Sequence, residues 1–180
     1  MSGLAEYAGA DLVVKLRDRY ENPSTTGFVL DSNDACTLVF QFAAFRPDGY
    51  AIFRTPDLVS AEPNENWTRM LHGEGFHGST SLNPFVPIES IKKAIFTLYT
   101  CHQNVSLDCD GSEDAEESGY HIGRITSTHY RTLEFLFFDS NGNWFDTPYE
   151  IPYQSITRIQ FRTPYIETFS KYLKKCPLDA

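Results

Sequence analysis

Thr37-Leu38-Val39-Phe40-Gln41-Phe42 and Thr132-Leu133-Glu134-Phe135-Leu136-Phe137 read as two versions of one strand, and their surroundings repeat with them. Leu38, Phe40 and Phe42 alternate with Val39 and Gln41, the period of two that marks a β-strand. On the N-terminal side, Gly27-Phe28-Val29 is matched by Gly123-Arg124-Ile125. On the C-terminal side, Asp48-Gly49 is matched by Asn141-Gly142, both hairpin signals because Gly tolerates positive φ. Leu58-Val59-Ser60-Ala61 then answers Ile156-Thr157-Arg158-Ile159, and Trp67 answers Tyr165 at the head of a short apolar-periodic segment. Residue types match in order, so the reading is one β-rich unit present twice, from about Leu12 to Leu71 and from about Val105 to Leu173.

Each unit divides into five short strands. The first has Leu12–Arg17, Phe28–Leu30, Thr37–Phe42, Tyr50–Phe53 and Leu58–Ala61, with turns at Glu21–Ser24 and Asp31–Asp34. The second has Val105–Asp108, Tyr120–Ser127, Thr132–Phe138, Trp144–Tyr149 and Ser155–Phe161. Five strands joined by tight turns favour a small closed antiparallel barrel, because closure removes exposed edges. Between the units, Pro84 and Pro87 precede Ile88, Ile91, Ala94, Ile95, Leu98 and Tyr99, which share one helical face. This predicts an amphipathic connector helix of about four turns that packs on one or both barrels. Tyr165, Phe169, Tyr172 and Leu173 predict a closing helix that Pro164 starts. Trp67, Met70 and Leu71 are its counterpart, cut short by Gly73 and Gly75. The expected chain is mainly β (α+β). A barrel and short helix occupy residues 1–78, a helical connector 79–104, and a barrel with a C-terminal helix 105–180.

The 180 residues carry a net charge of −9, concentrated in the first unit and the connector. Nucleic-acid binders need Lys and Arg to displace phosphate counterions, and this chain is poorly supplied. A local basic patch of Arg124, Arg131, Arg158 and Arg162 remains in the second unit. There is no apolar run long enough for a membrane span, and the N-terminus lacks a signal-peptide pattern, so a cytoplasmic protein is expected. The cysteines at 36, 101, 109 and 176 form no CxxC pair, and disulfides are not expected.

Each unit resembles an Sm-like or SH3-like small barrel. The resemblance rests on an apolar strand with an early Gly, a long second strand, a hairpin and a short final strand. Ile122-Gly123-Arg124-Ile125, Phe138-Asp139-Ser140-Asn141-Gly142-Asn143-Trp144 and Ile156-Thr157-Arg158-Ile159-Gln160-Phe161 are also similar to a group of uncharacterised bacterial proteins. In those, two such barrels are joined by a helical connector. The resemblance implies two tandem five-stranded Sm/SH3-like antiparallel barrels with a connector helix and a C-terminal helix. Ile52-Phe53-Arg54-Thr55 and Tyr149-Glu150-Ile151-Pro152 stand where Sm proteins have Ile-Arg-Gly, and both lack the Gly.

Several residue sets are chemically capable. His72 and His77 flank Gly73-Glu74-Gly75-Phe76, a spacing that could bring two imidazoles to one metal; the ordinary reading is two surface histidines on a loop, since further ligands are needed. Cys101, His102 and Cys109 could form a thiolate–imidazole set, but helix neighbours point about 100° apart. The run Asp108-Cys109-Asp110-Gly111 opens an acidic stretch to Ser118 that matches a calcium loop only in part, and a solvated loop is the ordinary reading. No phosphate loop, nucleophile elbow or HExxH occurs. No cofactor and no metal are expected, and no catalytic residue is assigned. The expected function is a non-enzymatic interaction module, such as a bacterial regulatory or immunity-type protein, with another protein as partner. Its binding residues are Trp67 and Trp144 as aromatic anchors, Arg124 and Arg158 on strands, and Asp108 and Asp110 in the acidic loop. The alternative is an Sm-like protein binding single-stranded RNA or other nucleic acid, with aromatics stacking bases and arginines on phosphates.

Overall fold

The computed structural model describes residues 4–20, 23–78, 82–101, 103–110 and 119–179. Their strands are β1 (Val13–Asp18), β2 (Thr25–Ser32), β3 (Cys36–Ala43), β4 (Arg46–Arg54), β5 (Leu58–Pro63), β6 (Asn104–Cys109), β7 (Gly119–Thr128), β8 (Thr132–Phe137), β9 (Tyr149–Pro152) and β10 (Ile156–Phe161). Their α-helices are α1 (Leu4–Tyr7), α2 (Glu65–Gly73), α3 (Ile91–Thr100) and α4 (Pro164–Tyr172). The chain is therefore mainly β. All ten strands form one antiparallel sheet in the order β5-β1-β2-β3-β4-β10-β6-β7-β8-β9. No helix among the described residues is long and apolar enough to cross a membrane.

The sheet runs unbroken from one half into the other. β4 hydrogen-bonds to β10, pairing Phe53 with Arg158, Ile52 with Ile159, Ala51 with Gln160 and Tyr50 with Phe161. Tyr50 and Phe161 stack across this seam with ring centroids 5.1 Å apart. β5 and β9 are the two edges.

Pairing follows one pattern on both sides of the seam. β2 and β3 shift register after Val29, and β7 and β8 after Ile125. Gly27 faces Gln41, and Gly123 faces Phe137. A Cβ at Gly27 would meet the Phe40 carbonyl oxygen at 2.1 Å, and a Cβ at Gly123 would meet that of Leu136 at 2.1 Å. Only Gly permits this backbone approach.

Two expected turns differ from those found. Asp48-Gly49 is not the β3–β4 hairpin. The chain reverses at Ala44-Phe45, both at positive φ (47° and 64°), as in a two-residue type I′ turn. Asp48-Gly49 instead forms a bulge within β4, opposite Gln41, with Gly49 at φ 76°. The left-handed strain at Phe45 is offset by its ring, which stacks on Trp67 at 4.2 Å. In the other half, Asp139 to Gly142 does form a turn, with the Gly142 amide donating to the Asp139 carbonyl. Only an isolated bridge, Phe138 to Trp144, follows it. The expected strand Trp144–Tyr149 lies further on, at Tyr149–Pro152; the Phe145 amide is turned back to the Phe137 carbonyl, and Pro148 stands just ahead of the strand.

The connector helix α3 is shorter than expected. Ser90 ends the extended segment and caps the helix, its hydroxyl accepting from the Lys93 amide at 3.2 Å, so Ile88 stays outside. Ile91, Ala94, Ile95 and Leu98 are buried in one cluster with Leu38 and Ile52 from one half and Leu107, Ile125 and Phe135 from the other. The helix is thus core to both halves. A second cluster of Val14, Leu16, Val29, Val39, Phe53 and Leu58 fills the first half, with Leu4 of α1 over it. Leu71 of α2 packs with Val13, Phe28, Phe40 and Phe42. The turn expected at Glu21–Ser24 falls partly outside the described residues.

Candidate functional site

The short β9 leaves an open groove on the second half. Tyr120, His121 and Ile122 at the start of β7 form one wall, Phe137, Phe138 and Asp139 the floor, and Phe145 and Tyr149 the far side. Its volume is about 420 Å³, within the range of small-ligand and side-chain pockets. Phe137 is the centre of the aromatic set: His121 lies 5.0 Å from its ring, Tyr149 5.1 Å and Phe145 6.1 Å, all in tilted or edge contacts. Tyr120, Phe145 and Tyr149 are each about half exposed, at 51%, 46% and 48%. The Phe145 amide donates to the Phe137 carbonyl at 3.0 Å, which pins the loop that carries it. Rings with one face packed and one face open supply large contact area with little entropy left to lose.

Asp139 gives the groove a fixed negative charge. Its Oδ1 accepts from the Asn143 amide at 2.9 Å and from the Asn141 amide at 2.8 Å, and the Asn143 side chain adds further bonds. Donation from Asn143, then from Asn141, outweighs burial and holds the carboxyl below its ordinary range. Asp146 and Glu150 are exposed nearby in the chain.

The residues expected to bind are mostly engaged elsewhere. Asp108 and Arg158 pair with each other across β6 and β10, with side chains 14% and 13% exposed, so neither offers its charge freely. Asp110 is exposed at the end of β6, and its amide donates to the Ser155 carbonyl. Residues 111–118 of the acidic loop lie outside those described. Trp67 stacks on Phe45. Trp144 donates Nε1–H to the Lys174 carbonyl at 2.9 Å, packs edge-on against Phe138, and lies under the Arg124 guanidinium at 5.5 Å. Trp144 and Arg124 therefore brace the turn beside the groove rather than line it. Cys101 is exposed and Cys109 buried, and His102 lies outside the described residues. Burial, against a smaller opposing pull from Arg54, pushes the Cys36 thiol up to about 12, which makes it inert.

The sequence offered no pointer to Phe137, Phe145 or Tyr149, because alternation reads all three as ordinary strand residues. The short strand after Pro148, and the Asn-rich turn that orients Asp139, are the signals that could have found them.

One pair singled out in the sequence is brought together. His72, in the last turn of α2, and His77 stack with centroids 4.5 Å apart. Asp11, just ahead of β1, joins them: its Oδ2 is 3.0 Å from His77 Nδ1 and its Oδ1 is 3.0 Å from His72 Nε2. Comparison with family models, curated proteins and solved structures finds no significant match to this chain.

Proposed function

We propose that the chain is a non-enzymatic binding module of two tandem five-stranded Sm/SH3-like barrels, acting in the cytoplasm, with another protein as partner. A regulatory or immunity-type protein works by such stoichiometric binding. The strand orders β5-β1-β2-β3-β4 and β10-β6-β7-β8-β9, with Gly27 and Gly123 at equivalent pairings, support the tandem reading. The observation that carries the function is the half-exposed aromatic groove around Phe137 with the ionised Asp139 on its floor. Its occupant is a basic segment of the partner with one large apolar anchor: the rings take the anchor, and Asp139 faces Lys or Arg beside it. Nucleic acid fits less well, because Arg158 is committed to Asp108.

The test is selection from a random peptide library displayed on phage, followed by affinity measurement with Phe145→Ala/Tyr149→Ala protein. Enrichment of peptides combining Lys or Arg with an aromatic or long aliphatic residue, and at least a tenfold loss in the double variant, are expected. Selected peptides that bind both proteins equally would overturn the reading. So would salt-sensitive binding of fluorescent oligo-U that exceeds any peptide's affinity.

A further inference from the structure

We propose that Asp11, His72 and His77 form a binding site for a divalent transition-metal cation, with Zn²⁺ as its natural type. Asp11, His72 and His77 each offer one ligand atom, and these three atoms all lie within 4.8 Å of one another, close enough to share one ion. Two imidazoles and a carboxylate form a borderline nitrogen–oxygen donor set that suits Zn²⁺ and its neighbours rather than Mg²⁺ or Ca²⁺. Three protein ligands leave at least one position for water or a partner's side chain.

The segment is built to hold this geometry. Gly75, at φ 84°, ends α2: its amide donates to the His72 carbonyl, and that of Phe76 to Leu71. Phe76 anchors the loop against Phe42 at 5.3 Å. Gly78 then comes so close to Ala10 and Phe28 that a Cβ would meet them at 2.9 and 2.8 Å. From there its amide donates to Asp11 Oδ1 at 2.6 Å, orienting the carboxylate as an outer-shell donor does in metal sites. His72 stacks on Phe28, which fixes its ring plane. The Nε2 atom of His72 is enclosed and stands 3.0 Å from Asp11 Oδ1, so it already faces the carboxylate that would share an ion with it. The site would tie the segment before β1 to the loop after α2, and it stands independently of the groove on the other half.

The experiment is isothermal titration of the full chain with Zn²⁺, repeated with Co²⁺ and followed by visible absorption. One ion per chain is expected, with Co²⁺ showing ligand-field bands and no thiolate charge-transfer band. His77→Gln and Asp11→Asn should each weaken binding at least tenfold while leaving the circular dichroism spectrum unchanged, since both side chains are surface-exposed. His72→Gln is a supporting variant, because its contact with Phe28 also bears on folding. Absence of saturable binding, equal affinity in the His77 and Asp11 variants, or a thiolate band pointing to Cys101 would each overturn the proposal.

Discussion

The two halves of the sheet share a pairing pattern and part company at the fourth strand. In the first half β4 runs nine residues, and its Asp48-Gly49 bulge covers Gln41, which is 4% exposed. In the second half β9 runs only four residues, and Phe137, at the matching position opposite Gly123, opens into the groove. The fifth strands differ as well: β10 is sealed against β4, whereas β5 is an edge. One pairing framework is thus covered or left open according to the length of a single strand.

The strongest way to break the equivalence is at the two glycines. Gly27→Ala and Gly123→Ala each drive a methyl into a backbone carbonyl at 2.1 Å, and each should cost more than about 4 kcal/mol in urea unfolding or abolish folding. If one is tolerated and the other is not, the halves are not equivalent.

The next test compares ion pairs. Asp57 is 7% exposed and accepts from Arg54 and from the Tyr20 hydroxyl, while Arg54 also reaches the Gln154 carbonyl across the seam. Asp57→Ala leaves Arg54 uncompensated and should destabilise by about 3 kcal/mol. Asp108→Ala strands Arg158 and should cost a comparable amount, read by the same unfolding curves.

Helix caps give a smaller, matched pair. The Asn64 side chain accepts from the Trp67 amide at the start of α2, and that of Thr163 from the Ile166 amide at the start of α4. Asn64→Ala and Thr163→Ala should each lower stability by about 1 kcal/mol.

The smallest effect is confined to the first half and depends on pH. Burial acts to raise the Asp11 carboxyl, but donation from His77 and the Gly78 amide and the approach of His72 outweigh it, so the folded group titrates below its ordinary value. A carboxyl depressed on folding gives stability that is complete above the unfolded value, about 3.9, and is lost as pH falls through the folded one. Asp11→Asn should therefore flatten the acid limb of a stability–pH profile. An acid limb identical to that of the parent would show that the carboxylate contributes nothing.

The sequence made strand identity legible where alternation was clean, as at Leu38, Phe40 and Phe42. It also located α4 and the stop of α2, because Pro164 and Gly75 act locally. It misplaced the first hairpin because a Gly at positive φ serves a bulge as readily as a turn. The true turn uses Ala44 and Phe45, which carry no turn signature and are held by a ring far along the chain, Trp67. His72 and His77 were visible as a pair, but Asp11 reaches them only through the folding of β1 beside α2. The tryptophans were reasonable anchors by type. Their neighbours, Phe45 for one and Lys174 with Phe138 for the other, engage them in ways no local pattern could reveal.

The most direct test of the open-groove account is a titration of ¹⁵N-labelled protein with the tightest phage-selected basic peptide, followed by amide chemical shifts. The account predicts saturable shifts centred on residues 119–122, 137–139 and 145–149, with residues 41–50 unmoved. Shifts centred on 41–50, or spread evenly over the acidic surface with no focus at Phe137, would contradict it.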